Sequence, residues 1–300
     1  METIEYSGYQ CVPLENDSLR LLITRSIGPR IISFGFREEE NLFAELPNFV
    51  TELSDGGEFH FYGGHRLWVA PETFETTYIP DDSPVDISQL ENGLRITKRV
   101  EPQTGLQKSL DILLTGETRV LITHQITNHR EASPRDQSQN IICAPWAITQ
   151  FKTGGVAILP QAAHNAGVLP NRSLALWSYT DMSNPQVVWG REYILVSANM
   201  KSPFKVGFPN PRGWLAYWLN GRLFVKHAEY NPQTPYNDFN SSSECYCNDK
   251  FLELETLAPI GTIPPGKTAT HVETWCLYKD VERPQNEDEA RALAEKFGLG

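Results

Sequence analysis

The segment Phe59-His60-Phe61-Tyr62-Gly63-Gly64-His65-Arg66-Leu67-Trp68, continuing to Pro71-Glu72, gathers histidine, arginine, carboxylate and aromatic side chains around a pair of glycines. Glycine lets a backbone turn tightly or approach a ligand closely. Aromatic faces can cover the C–H surface of a sugar while charged and amide groups bond its hydroxyls. His60, Tyr62, Arg66, Trp68 and Glu72 are therefore candidates for binding a sugar. The competing explanation is a loop over 56–64 that packs its own aromatics and leaves its histidines in water.

A second cluster is Lys250-Phe251-Leu252-Glu253-Leu254-Glu255-Thr256-Leu257. Read as a strand, it puts Leu252 and Leu254 on one face. Glu253 and Glu255 share the other, about 7 Å apart along the chain. Two carboxylates on one half-buried face oppose each other's ionisation and raise one pKa. A carboxylate titrating near neutrality is a usable general base. A solvated face with Glu253 opposite a lysine or arginine accounts for the pattern equally well. Trp146 and Trp177 can stack on a sugar or fill a core. Lys226, at the end of Leu223-Phe224-Val225, can project into a cleft or into water. His124 alternates with apolar residues and reads as core-facing, whereas His271 and Glu273, opposite Val272, read as a solvent face.

The elements that must position these groups are strands. Apolar residues alternate at Leu19/Leu21/Ile23, Leu94/Ile96/Val100, Leu110/Ile112/Leu114 and Val120/Ile122/Ile126. Further strand-like runs lie at 156–159, 192–198, 214–219, 223–226, 251–257 and 272–277. Gly, Pro, Asn and Asp bound these period-two runs, the signature of strands and turns. No strand–helix–strand rhythm suggests a parallel sheet. One helix is predicted, over 286–298. Asn286 and Glu289 have capping-box spacing, Ala290, Leu293, Ala294 and Phe297 make one apolar face, and Gly298 stops it. With no linker-like stretch or internal repeat, residues 1–300 are expected to form one mainly antiparallel β domain with this terminal helix.

Composition narrows the partners. The net charge is −11, with Lys and Arg scattered rather than clustered, which argues against a nucleic-acid partner. No apolar run reaches the about 18 residues of a membrane span, so no membrane partner is expected. The start METIEYSGYQ lacks the basic and apolar regions of a secretory signal, and a cytoplasmic location is expected. The five cysteines are irregularly spaced and odd in number, which suits buried thiols better than a disulfide framework. No nucleotide-binding loop, nucleophile elbow or zinc-protease motif is present, and no metal site is expected.

Three segments resemble the galactose mutarotase-like (aldose 1-epimerase) superfamily. Ser26-Ile27-Gly28-Pro29-Arg30-Ile31-Ile32-Ser33-Phe34 is similar to its early hairpin, and Tyr62–Trp68 with Pro71-Glu72 to its glycine-rich cleft segment. Leu254-Glu255-Thr256-Leu257-Ala258-Pro259, with Pro265-Gly266 and His271–Trp275, is similar to its C-terminal catalytic strand and the strand that follows. The resemblance implies a large β sandwich with a cleft on one concave sheet. It implies a sugar or sugar-phosphate ligand and an anomer exchange that needs no cofactor. Glu255 falls on the general base, and Glu253 beside it on the cleft face. The family's mid-chain acid histidine has no counterpart near Ile126-Thr127-Asn128 or Ala144–Thr149. His65, His60 or Arg66 is the expected substitute, His65 first among them, with Arg66, Trp68, Glu72, Trp146 and Lys226 around the ligand. Non-catalytic sugar binding and a carboxylate-pair hydrolase or lyase are the alternatives. Convergence of Arg30, Arg66 and Lys226 would indicate a phosphorylated or acidic sugar, and their separation a neutral one.

Overall fold

The computed structural model describes residues 1–53, 56–132 and 137–299, with Gln137 described for its backbone alone. Among these, two antiparallel sheets hold twelve and ten strands. In the larger sheet, Leu19–Thr24, Arg30–Phe36, Glu58–Ala70, Ile141–Lys152, Phe251–Leu257, Ser243–Cys247 and Phe204–Phe208 lie side by side in that order. The smaller sheet includes Val156–Pro160, Trp214–Leu219, Arg222–Ala228, Thr268–Tyr278, Arg119–Asn128 and Leu106–Gly116, again neighbour to neighbour.

The alternation explains the layering. Leu21, Ile23, Leu67, Val69, Phe151, Leu252 and Leu254 of the larger sheet meet Ile112, Ile122, Leu215, Phe224 and Trp275 of the smaller in one buried cluster. Residues one step along each strand face outward. On the smaller sheet that outer face is covered by the terminal helix, Glu287–Lys296. Ala290 and Ala294 of this helix pack on Val156, Ile158, Leu195 and Val225, joined by Leu293 and Phe297. Asn286 caps the helix by accepting from the Glu289 backbone N–H, and the Glu289 side chain reaches back to Gln285 N. Gly298, at φ +65°, closes it with a bond from Leu299 N to Ala294 O. No helix among the described residues is long and apolar enough to cross a membrane.

Two local expectations are corrected. The stretch expected to loop over 56–64 lies largely in the strand Glu58–Ala70. Gly63 and Gly64 sit at φ +92° and +74° and kink the strand instead of ending it. A β-carbon on Gly63 would overlap the Ala44 carbonyl, and one on Gly64 the Ile31 carbonyl, so only glycine lets these backbones approach. His271 and Glu273 are buried and Val272 is 44% exposed. The alternation was right and the assignment of faces inverted, because the space between the sheets takes these polar groups as a hydrogen-bonded set.

Candidate functional site

The outward face of the larger sheet carries the cleft. Antiparallel register sets its residues in rows. Trp68 stands beside Trp146, and Trp146 beside Leu257. In the next row Arg66, Ile148, Glu255, Glu244 and Gly207 follow strand by strand. A third row runs Gly64, Gln150, Glu253, Tyr246, Lys205. Above these rows opens a cleft of about 280 Å³, at the small end of ligand sites. Phe49, Phe61, Trp68, Tyr78, Trp146, Tyr179, Tyr246 and Phe251 supply aromatic walls, and Arg66, Lys205, Glu72 and Glu253 supply charge. A larger cavity near Gln161, Arg172 and Tyr230 has no carboxylate in its wall.

Two ion pairs organise the floor. Arg66 Nη2 donates to Glu253 Oε1 at 3.1 Å, with the guanidinium 4.2 Å from the Trp68 ring centre. Arg66 Nε and Nη1 are buried without a partner. Lys205 Nζ lies 3.0 Å from Glu255 Oε2 and 2.8 Å from Glu244 Oε2, between the rings of Trp146 and Trp177. Trp146 Nε1 donates to the same Glu255 oxygen at 2.9 Å. Glu255 Oε1 and both Glu244 oxygens lack an aligned hydrogen-bond donor. Burial pushes Glu253 up to about 7, helped by Glu255 and opposed by Arg66. Burial likewise holds Glu244 well above the usual carboxylate range against the pull of Lys205. Lys205 loses solvation, but Glu244 and Glu255 more than offset that and hold it above its ordinary value.

Of the residues singled out in the sequence, Arg66, Trp68, Glu72, Trp146 and Glu253 line the cleft. Glu72 accepts from the Tyr78 hydroxyl at its rim. Glu255 is fully buried beneath it. His60 and Tyr62 stand apart, their rings stacked at 5.5 Å. Arg30 stands beside Arg66 across neighbouring strands, but Lys226 lies on the other sheet with Glu273, so the three do not converge on the cleft. Arg30 is held by Asp81 and the carbonyls of Phe61 and Gly63.

His65 and Lys226 are placed between the sheets. Strand parity turns Arg66 and Trp68 to the cleft, so His65 and Leu67 turn inward. Lys226 Nζ donates to Glu273 Oε1 (2.8 Å), Thr149 Oγ1 (3.0 Å) and the Leu254 carbonyl (3.1 Å). The bonds fix the histidine tautomers. His124 Nδ1 faces the His271 carbonyl at 3.0 Å and must donate, so its Nε2 accepts from His65 Nε2 at 2.8 Å. His65 Nδ1 then accepts from Thr149 Oγ1 at 2.9 Å. Thr256 Oγ1 donates to Glu273 Oε1 and therefore accepts from His271 Nε2 at 2.7 Å. Trp275 Nε1 donates to Glu273 Oε2. Burial holds all three rings neutral, His271 down to about 3. His65, His124 and Glu273 bring potential ligand atoms within 4.8 Å of one another. The bonds just traced engage these side chains with one another, with Thr149 and Thr256 and with Lys226, and so knit the three into a buried polar core.

Sequence reasoning missed Lys205, Glu244, Tyr78 and Tyr179. Phe204-Lys205-Val206-Gly207-Phe208 and Ser243-Glu244-Cys245-Tyr246-Cys247 do alternate, which marks Lys205 and Glu244 as outward on short strands. Only the strand order shows that they meet Glu255.

Comparison with solved structures follows the same architecture. The chain is similar to the Slr1438 protein from Synechocystis sp. PCC 6803, at 10% identity and TM-score 0.58 over 93% of this chain and 100% of that one. It is similar to a candidate aldose 1-epimerase from Klebsiella pneumoniae subsp. pneumoniae, at 11% and 0.56 over 97% and 83%. A galactose mutarotase related enzyme from Lactobacillus acidophilus gives 8% and 0.52 over 92% and 100%. The fold is that of the galactose mutarotase-like proteins. No family model matches the chain, and no curated protein matches it. At these identities the likeness establishes the mutarotase-like sandwich alone, and the cleft has to be read from its own residues.

Proposed function

We propose that the protein recognises a carbohydrate in this cleft, without an added cofactor and in the cytoplasm. The observation that carries the reading is the buried Arg66–Glu253 pair at the centre of an aromatic-walled, monosaccharide-scale cleft, where Arg66 keeps two N–H groups without partners. Buried donors left unpaired cost free energy unless something accepts from them, and sugar hydroxyls meet that need while the rings cover C–H surface. Arg30 and Lys226 are engaged elsewhere, which disfavours a sugar phosphate. Binding without chemistry is the leading reading, because none of the described histidines lines the cleft.

A second reading rests on Glu253. A carboxyl titrating at about 7 can take the anomeric hydroxyl proton, the role that the resemblance assigned to Glu255. The ring oxygen must gain a proton as its bond to C1 breaks, and the phenols of Tyr78, Tyr179 and Tyr246 are the nearby candidates. Exchange NMR on a panel of aldoses, with and without protein, separates the readings. Binding alone gives saturation transfer to the sugar with unchanged anomer exchange. Catalysis gives faster exchange, reduced at least 100-fold by Glu253→Gln. Acceleration that survives Glu253→Gln and is abolished by Glu255→Gln would return the base to Glu255. Absence of saturation transfer across the panel would remove the carbohydrate reading.

A further inference from the structure

The cleft and its floor hold more carboxyls than the protein supplies cations for. Glu72 and Glu253 line it, and Glu244 and Glu255 lie directly beneath. Two cations answer these four carboxylates. Arg66 is committed to Glu253, and Lys205 is shared by Glu244 and Glu255. Other basic groups nearby are spent: Arg30 on Asp81 and Lys226 on Glu273. Glu244 and Glu253 respond by holding protons above their ordinary range, chiefly through burial. The floor thus relies on those protons where it lacks cations, and its polar atoms are not all matched. Arg66 offers two unpartnered N–H groups, and one buried oxygen of Glu255 has no donor.

A ligand that completes this set has hydroxyl oxygens for Arg66 and a positive charge for Glu253. Aromatic faces also attract such a charge when it is desolvated, and Phe61, Tyr179, Tyr246 and Phe251 stand in the same wall as Glu253. We propose that the sugar taken by this cleft carries a free amino group, with its ammonium on Glu253 and ring hydroxyls on Arg66. This rests on the carbohydrate reading above and narrows it to amino sugars. N-acetylation removes the charge and adds bulk, so the acetylated form is excluded from this set. On binding, the incoming ammonium displaces the proton that Glu253 holds, and that proton passes to the buffer.

Isothermal calorimetry at pH 7 tests this with glucosamine, galactosamine and mannosamine against their N-acetyl forms and against glucose, galactose and mannose. Two buffers of different protonation enthalpy report proton release. At least one amino sugar is expected to bind tenfold or more tightly than both of its counterparts, with proton release and with weakening in 0.5 M salt (the range is about tenfold per 1.4 kcal/mol). Glu253→Gln should bring its affinity down to that of the parent sugar. Should that variant fail to fold, the salt and buffer dependence of the native protein decide the matter. Parent sugars binding as tightly as the amino sugars, or amine binding insensitive to salt, would overturn the inference and leave carbohydrate binding standing. No binding by any sugar of the panel would overturn both.

Discussion

Glu253 and Glu255 are two residues apart on one strand, both buried, and differently employed. Glu255 is tied by Lys205 and Trp146, whereas Glu253 faces the cleft with Arg66 as its ion-pair partner. Its pKa is raised from 4.5 to about 7 by burial. A group raised in the folded state binds its proton more tightly there than in the unfolded chain. Its stabilising contribution is complete below the unfolded value and is lost as pH rises through about 7. Glu253→Gln has no such proton to lose. Relative to the native chain it should therefore gain stability between pH 5 and pH 8, on the order of 1–3 kcal/mol. Urea midpoints across that range would show it, and a difference that stays flat would mean that Glu253 ionises normally.

At the scale of elements, the cleft depends on how the strand Glu58–Ala70 is kinked. Gly63 and Gly64 allow the carbonyls of Ala44 and Ile31 to press against it. Beyond the kink, parity sends Arg66 and Trp68 to the cleft. Gly64→Ala combines a left-handed backbone with a steric overlap on a carbonyl. It should lower stability by about 2 kcal/mol or more, read as a fall in urea midpoint, whereas Gly221→Ala, with open space around its φ of +78°, should cost less. Much of this strand scaffold was legible, because apolar alternation survives in runs such as Val120/Ile122/Ile126 and Leu252/Leu254. The helix was legible from Asn286, Glu289 and Gly298. Alternation, however, tells which residues share a face and not which face is inside. His271 and Glu273 were grouped correctly and turned the wrong way for that reason. His65 was grouped with Arg66 although neighbours on a strand point oppositely. Lys205 and Glu244 were invisible as a pair, because the strands Phe204–Phe208 and Phe251–Leu257 meet only through Ser243–Cys247.

The whole molecule is two sheets joined by a polar seam within an apolar core. Lys226, His124, His271 and Glu273 of the smaller sheet bond Thr149, Thr256, His65 and the Leu254 carbonyl of the larger. Leu254 lies between the two cleft glutamates, so the seam bears on the floor from behind. All three rings have pKa values depressed by burial below 6.5. Their contribution is present above about 6.5 and lost as pH falls, because the unfolded chain takes up protons that the fold refuses. Nitrogen-15 NMR should find His65 and His271 protonated at Nε2, His124 at Nδ1, and His271 neutral down to pH 5. A doubly protonated ring at pH 6 would break the traced network. Glu253 and Glu244 oppose this trend over the same range, so loss of stability on acidification is shallower than three histidines alone would give.

Two of the seven tryptophans, Trp68 and Trp146, line the cleft, and their ring centres lie 5.5 Å apart. Each is in contact with a charge that a ligand would disturb: the Arg66 guanidinium against Trp68, and the Lys205–Glu255 pair against Trp146. Indole emission responds to nearby charge and to the exclusion of water. The arrangement that shapes the cleft therefore also makes it luminous, and its occupancy is written in the protein's own light with no label attached.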